Sequence, residues 1–148
     1  MSLKDEAWRL DAAAYRLRET IQTRYGDMDA NAHLNNVAIA RLFEETRVRT
    51  LSRLRRAPAD DAPSSGDPSS MMIVHVAIDY LAEGQYPDEV DAALTVTEIG
   101  RSSFRLGLGL FQNGRAIALA ECAMVNLSNR RPAAIEGGLR AALEALKR

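Results

Sequence analysis

A chain of 148 residues, of which 47% are hydrophobic and 26% are charged, has the length and composition of one soluble globular domain spanning residues 1–148. Nineteen basic and twenty acidic residues give a formal net charge of −1, which argues against nucleic acid or an anionic membrane as a partner. The single cysteine excludes an internal disulfide and favours the cytoplasm, and no apolar run approaches the roughly 20 residues of a membrane span.

The first predicted elements are a strand and a long helix. Residues 1–14 are interpreted as an N-terminal extension. From Tyr15 to Tyr25 apolar and polar residues alternate, as in a half-buried strand, with Glu19 as the exception on the apolar face. The run Asn36–Leu54 contains neither Gly nor Pro, and its apolar residues recur at helical spacing. Asn35 or Asn36 can cap this helix.

The remainder of the chain is predicted to be mostly β. Residues 57–70 contain three prolines, a glycine and four serines, which indicates a flexible loop. Four strand-like runs follow, which we interpret as an antiparallel meander: Met71–Leu81, Glu89–Ile99, Ser102–Gln112 and Arg115–Leu127. Leu139–Lys147 then carries a short helical stripe. One face and the edges of such a sheet would need covering, and a homo-oligomer is the simplest remedy.

The link between the first strand and the long helix is the strongest functional signal. It concentrates polar side chains at a helix start, namely Asp27, Asp29, Asn31, His33, Asn35 and Asn36. The spacing Asp27-x-Asp29-x-Asn31 resembles the beginning of a calcium loop, but the sixth and twelfth positions are Ala32 and Ala38 instead of Gly and Glu. We therefore expect no metal site.

Other nucleophilic arrangements are absent from the sequence. There is no G-x-S-x-G elbow, and Cys122 lies in the middle of a predicted strand, where a small buried thiol is the usual explanation. A carboxylate beside a helix N-terminus remains. Asp29 is either a structural cap of the turn or a catalytic group next to backbone N–H groups that stabilise negative charge.

These motifs resemble those of the 4-hydroxybenzoyl-CoA thioesterase family of hotdog-fold acyl-CoA thioesterases. The front motif is Arg24-Tyr25-x-Asp27-x-Asp29-x-x-x-His33-x-Asn35-Asn36, followed by Phe43-Glu44-Glu45-x-Arg47. Supporting matches are Ile78-Asp79-Tyr80-Leu81, Tyr86-Pro87-Asp88-Glu89-Val90, Ile99-Gly100-Arg101-Ser102-Ser103-Phe104 and Asn129-Arg130-Arg131-Pro132. The chain departs from the family pattern at Ala32, where relatives usually have Gly.

The resemblance implies an α+β hotdog fold, in which a five-stranded antiparallel sheet wraps around a long central helix and a short C-terminal helix follows. It implies homodimers, often paired into tetramers, with the active site at the subunit interface. It also implies hydrolysis of an acyl-CoA thioester, or of an acyl-carrier-protein thioester, without a cofactor. Asp29 corresponds to the catalytic carboxylate and the backbone N–H of Asn36 to the group that polarises the thioester carbonyl.

The remaining site residues are assigned less direct roles. His33 and Asn35 are expected to brace the loop or orient water, and Arg101, Ser102 and Ser103 could contact the phosphates of CoA. Asp29 is expected either to attack the carbonyl or to activate a water. Two other functions stay open: a hotdog hydratase or dehydratase acting on acyl thioesters, and a non-catalytic acyl-CoA binding subunit.

Overall fold

The computed structural model describes residues 2–55 and 70–148 and contains one sheet and two α-helices. The helices are α1 (Asn36–Arg55) and α2 (Gly137–Ala145). The strands are β1 (Leu17–Ile21), β2 (Ser70–Tyr80), β3 (Val90–Ile99), β4 (Ser103–Gln112), β5 (Arg115–Ser128) and the two-residue β6 (Arg131–Pro132). The predicted loop 57–70 lies outside the described residues, except that Ser70 begins β2.

The strand order corrects one part of the sequence interpretation. All neighbours are antiparallel in the order β1-β3-β4-β5-β2, with β6 against the end of β5. Only β3, β4 and β5 therefore form a meander, whereas β2 pairs with β5 at the far edge, with Ile78 opposite Ala120. The reason is that β3 already has β1 and β4 as neighbours, so the segment that follows β2 must cross to the other side of the sheet.

The long helix packs against the concave face of the sheet, which is the hotdog arrangement. Ile39, Leu42, Phe43 and Leu51 of α1 are buried in one core with inward-facing residues of β3, β4 and β5. Burial of each such side chain is worth about 1.5–3 kcal/mol, so this contact is the main source of the helix's stability. Glu19 faces α1 because its Oε1 pairs with Arg49 at 3.2 Å and Arg53 at 2.8 Å, which explains the predicted exception.

The outer face of the sheet is covered in part by the chain itself. Three short 3-10 turns span residues 3–14, and we call residues 3–15 the N-terminal segment. Trp8 and Tyr15 pack onto Ala93 and Phe111. Arg9 is 2% exposed and its guanidinium lies 2.8 Å from Glu121. The N-terminal segment of the same chain thus covers this part of the outer face.

No α-helix in the described parts of the chain is long and apolar enough to cross a membrane.

Candidate active site

The polar link forms a tight loop held between the sheet and α1. Met28 and Leu34 make an isolated antiparallel bridge, and the Asp29 N–H donates to the His33 carbonyl at 2.8 Å. The Leu34 N–H donates to the carbonyl of Gly84, in the connection between β2 and β3, at 2.9 Å. Both flanks of the loop are therefore fixed by backbone hydrogen bonds, which holds the side chains between them in place.

Asp29 lies exposed at the tip of this loop with one carboxylate oxygen engaged and one free. Its Oδ1 accepts from the N–H groups of Asn31 at 2.9 Å and His33 at 3.3 Å. Neither an ion pair nor a hydrogen bond to Oδ2 occurs among residues 2–55 and 70–148. The carboxylate is thus oriented by its own turn, and Oδ2 is available to a substrate or a water.

The start of α1 provides unpaired N–H donors beside this carboxylate. Asn35 is the cap of the helix, because its Oδ1 accepts from the Ala38 N–H at 2.7 Å and its carbonyl accepts from Ile39 at 3.0 Å. Within the described ranges, the N–H groups of Asn36 and Val37 donate to no protein acceptor. They carry the partial positive charge of the helix terminus, which is roughly half an elementary charge.

Asp29 and these two donors line the same surface pocket of about 380 Å³. The lining residues are Gly26, Asp27, Asp29, Asn35, Asn36, Val37, Ala38 and Arg41. A larger groove of about 880 Å³ along α1 shares Asp27, Ala38 and Arg41 with it. Asp29, Asn36 and Val37 therefore place a carboxylate and the first N–H groups of a helix along one pocket, and such N–H groups can stabilise a developing negative charge.

Two further residues shape the loop. The Nε2 of His33 lies 3.0 Å from Oε2 of Glu83, so this imidazole ties the loop to the connection between β2 and β3. Ala32 has a φ of 60°, in the left-handed region that favours glycine, which is the physical consequence of the departure noted in the sequence. Asp27 supports the preceding turn, since its Oδ2 accepts from the Arg24 N–H at 2.9 Å.

The residues that were predicted to contact CoA lie far from this pocket within one protomer. Arg101, Ser102 and Ser103 lie in the turn between β3 and β4, at the beginning of β4. The Asp29 loop instead lies near Gly84, Ile117 and the end of β4. The ten residues of β4 separate the two places by about 30 Å at the rise of an extended strand.

Sequence reasoning missed the contributions of Arg41, Glu83 and Gly84. Arg41 carried a weak signal, since it lies on α1 only five residues after Asn36. Glu83 and Gly84 carried none, because their distance from the loop along the chain hides a contact that exists only in the folded state.

A curled antiparallel sheet around one long helix is the hotdog fold, and in this chain a loop that carries Asp29 lies at the N-terminus of that helix. A family profile described as the thioesterase-like superfamily matches residues 23–143. A comparison with curated protein sequences gives no significant match. Residues 23–143 include the whole polar loop, both α-helices except the last two residues of α2, and strands β2 to β6. The chain therefore belongs to the thioesterase-like superfamily and is a hotdog-fold thioester hydrolase.

Solved structures agree with this assignment. A protein from Pseudomonas aeruginosa strain PAO1 is 28% identical with a TM-score of 0.81, covering 93% of this chain and 96% of its own. A thioesterase from Thermus thermophilus, in complex with coenzyme A and zinc, is 26% identical with a TM-score of 0.74, covering 90% and 95%. A 1,4-dihydroxy-2-naphthoyl-CoA thioesterase from Synechocystis is 20% identical with a TM-score of 0.72, covering 85% and 93%, and supports the fold alone.

Proposed function

We propose that the protein hydrolyses acyl-CoA thioesters, with Asp29 as the catalytic carboxylate and the first N–H groups of α1 as the oxyanion donors. The observation that carries this proposal is that the free Oδ2 of Asp29 and the unpaired N–H groups of Asn36 and Val37 share one pocket. The coenzyme A bound by the thioesterase of Thermus thermophilus supports CoA as the carrier.

In this reaction the thioester oxygen accepts hydrogen bonds from Asn36 and Val37 while negative charge develops on it. One preorganised donor of this kind is typically worth about 10²–10³ in rate. Asp29 either attacks the carbonyl carbon and forms a mixed anhydride that water then hydrolyses, or takes a proton from the attacking water. In both routes one water is consumed, the C–S bond breaks, and the thiol and the carboxylic acid leave. The CoA thiolate is a good leaving group, so the proposed chemistry needs no cofactor.

His33 and Asn35 have supporting roles in this proposal. Asn35 uses its carboxamide oxygen to cap α1, and His33 uses Nε2 to contact Glu83. A hydratase or dehydratase would need a histidine in the pocket with the thioester, and His33 is not among the residues that line it, which favours hydrolysis over that alternative. The single buried thiol of Cys122 is consistent with a cytoplasmic location.

The edge of the sheet supports a homodimer. β2 pairs only with β5, so its other edge is open within the described chain, and Met72, Val74, Val76 and Tyr80 on this strand are 49–53% exposed. An open edge with exposed apolar side chains is a site of strand pairing between chains. Antiparallel pairing of two β2 strands about a two-fold axis would place the Ser70 end of one strand beside the Tyr80 end of the other.

This pairing would complete the active site. The Asp29 loop lies at the Tyr80 end of its own sheet, whereas the turn that carries Arg101 lies at the Ser70 end, since Ser70 is opposite Leu127 and Asn126 donates to Ser102. The partner subunit's Arg101, Ser102 and Ser103 would therefore approach the pocket that the same three residues cannot reach in their own chain. We assign them to the CoA phosphates in the dimer.

The decisive test of the chemistry is Asp29→Asn, assayed as thiol release from a panel of short, long and aromatic acyl-CoA esters. The carboxamide oxygen of asparagine can keep the hydrogen bonds from Asn31 and His33, so the fold should persist. We expect hydrolysis to fall by at least about 10²-fold, on the scale of losing a nucleophile or general base. Asp91→Asn makes the same change on β3 and should retain activity. Full activity in Asp29→Asn would remove Asp29 from the mechanism.

The proposed dimer is tested separately by introducing negatively charged residues at the exposed edge of β2. The double variant Met72→Asp and Val74→Asp should halve the mass measured by light scattering and lower hydrolysis, because each site would lose the partner's turn. Leu10→Asp, at an equally exposed position of the N-terminal segment, should leave the mass unchanged. A wild-type protein that is monomeric and fully active would contradict the shared site.

A further inference from the structure

A second pocket, of about 250 Å³, lies between α1 and the inner face of the sheet. Its apolar wall consists of Ala40, Phe43, Ile73, Ile78, Leu108 and Ala120. The pocket opens on the side of Glu44 and Val76, which are both exposed. This is the edge of the protomer that β2 forms, so a pairing strand would cover the opening.

The pocket lies along the same face of α1 as the proposed oxyanion donor. Asn36, Ala40, Phe43 and Arg47 are spaced by four, three and four residues, which places them one above the other on a helix. Ala40 is one turn beyond Asn36, and the Cα of Arg47 is about 16 Å from that of Asn36 along the helix axis. A thioester whose carbonyl lies at the Asn36 N–H could extend its acyl group along this face and into the pocket.

Arg47 is a cation in this largely apolar pocket with little compensation. Its side chain is 15% exposed, and among residues 2–55 and 70–148 its carboxylate contact is Glu44 Oε1 at 3.8 Å, on a side chain that is 66% exposed. An ion pair of that length with an exposed partner is weak, whereas a buried charged group normally has an oppositely charged partner at close distance. Arg47 also contacts the thiol of Cys122, which neutralises no charge. Its contact with Glu44, which lies one turn closer to Asn36, places the guanidinium on the N-terminal side of its own Cα.

We infer that this pocket receives the acyl group and that Arg47 selects acyl groups that end in a carboxylate, so that ω-carboxyacyl thioesters are the preferred substrate class. The inference rests on the proposed thioesterase function. The planar guanidinium presents paired donors that match a carboxylate with two parallel hydrogen bonds. A terminal methyl group in the same place would leave this cation without a close partner, so an unsubstituted acyl chain is disfavoured.

The test compares kcat/KM for two esters of equal chain length, suberyl-CoA and octanoyl-CoA. We expect the wild-type protein to prefer suberyl-CoA by about 10-fold or more, the scale of one charge-assisted hydrogen bond in a partly buried site. Arg47→Met, which keeps the length and apolar stem without the charge, should remove or reverse this preference while octanoyl-CoA is still hydrolysed. Arg47→Lys should retain part of it, because lysine keeps the charge but not the planar fork.

Arg18→Met is the matched control, since Arg18 is an exposed arginine of β1 that also has a carboxylate at 3.8 Å. Its ratio of the two rates should equal that of the wild type. The inference would be overturned if the wild-type protein hydrolysed suberyl-CoA and octanoyl-CoA with similar kcat/KM. It would also be overturned if Arg47→Met left the ratio of these two kcat/KM values unchanged, even if that variant changed the oligomeric mass. If Arg47→Met does not fold, the wild-type ratio and Arg47→Lys decide the question. Failure to hydrolyse any ester would instead refute the proposed function.

Discussion

The side chains of His33 and Glu83 meet at 3.0 Å between Nε2 and Oε2, and this contact joins the Asp29 loop to the connection between β2 and β3. The backbone of His33 makes two hydrogen bonds with Asp29, through its carbonyl at 2.8 Å and its N–H at 3.3 Å. The next residue, Leu34, donates to Gly84. Glu83 therefore acts on Asp29 through His33, without lying in the pocket itself.

We predict that Glu83→Ala lowers kcat about 10-fold with little change in KM, because a released His33 allows the Asp29 carboxylate to drift from its position. Glu83→Gln keeps a hydrogen-bond acceptor for the imidazole and should recover most of the activity. Glu89→Ala, an exposed glutamate on the same connection, serves as the control. Wild-type kcat in Glu83→Ala, or a loss that Glu83→Gln does not restore, would show that the contact has no positioning role.

Ala32 adopts a backbone conformation that suits glycine, since its φ is 60°. A non-glycine residue in this conformation destabilises the folded state by about 1–2 kcal/mol. Glycine would relieve this strain, but it would also increase the entropy of the unfolded chain, which offsets part of the stabilisation. Ala32→Gly should therefore raise the free energy of unfolding by about 0.5–1 kcal/mol, measured as a higher urea midpoint at an unchanged m-value.

The neighbouring Ala30→Gly provides the control for that measurement. Ala30 is not among the described residues with a positive φ, so glycine at this position brings only the entropic cost and should lower stability slightly. Equal effects of the two substitutions would mean that the strain at Ala32 is not a property of the protein in solution.

The elements with a regular pattern were predictable from the sequence, and so was the central part of the site. Alternation along β3, β4 and β5 and the Gly- and Pro-free run of α1 locate these elements to within about two residues, since each pattern reports which face is buried. Asp29 and the start of α1 lie close together in the chain, so their proximity follows from local geometry alone.

Features that depend on tertiary contacts were not predictable. The position of β2 beside β5 depends on which neighbours remain available to β3, and no pattern in β2 itself reports that. The N-terminal segment consists of 3-10 turns without hydrophobic periodicity, so nothing indicated that Trp8 and Arg9 would cover the outer face. Glu83 falls in the same category, because its contact with His33 is long-range.

The N-terminal segment is held by a buried charge and can be followed through a single fluorophore. Trp8 is the only tryptophan, and its ring contacts the guanidinium groups of Arg9 at 4.6 Å and Arg148 at 4.4 Å. Glu121→Gln should weaken the docking of this segment by about 2 kcal/mol, since the Arg9 guanidinium would lose one of its two carboxylates.

We expect the Trp8 emission of Glu121→Gln to shift to the red and its urea transition to occur at a lower concentration than in the wild type. Glu98→Gln is the matched control, because Glu98 is an exposed glutamate whose Oε2 lies 3.7 Å from Nε of Arg105. It therefore makes the same substitution at a glutamate that pairs with a different arginine. Identical Trp8 spectra and transitions in the wild type and Glu121→Gln would show that the pair with Arg9 does not hold the segment.

The thiol of Cys122 should be inert in the folded protein. Burial raises its pKa to about 11, with the nearby Arg47 acting in the opposite direction to a smaller extent. At pH 8, three units lower, only about 10⁻³ of the thiol is ionised, and the thiolate is the reactive form. We predict no reaction of the native protein with a disulfide reagent within minutes and one thiol per chain in denaturant, while Cys122→Ser gives none in either condition. Rapid labelling of the native protein at pH 8 would mean that the thiol is accessible in solution, although Cys122 is only 3% exposed in the structure.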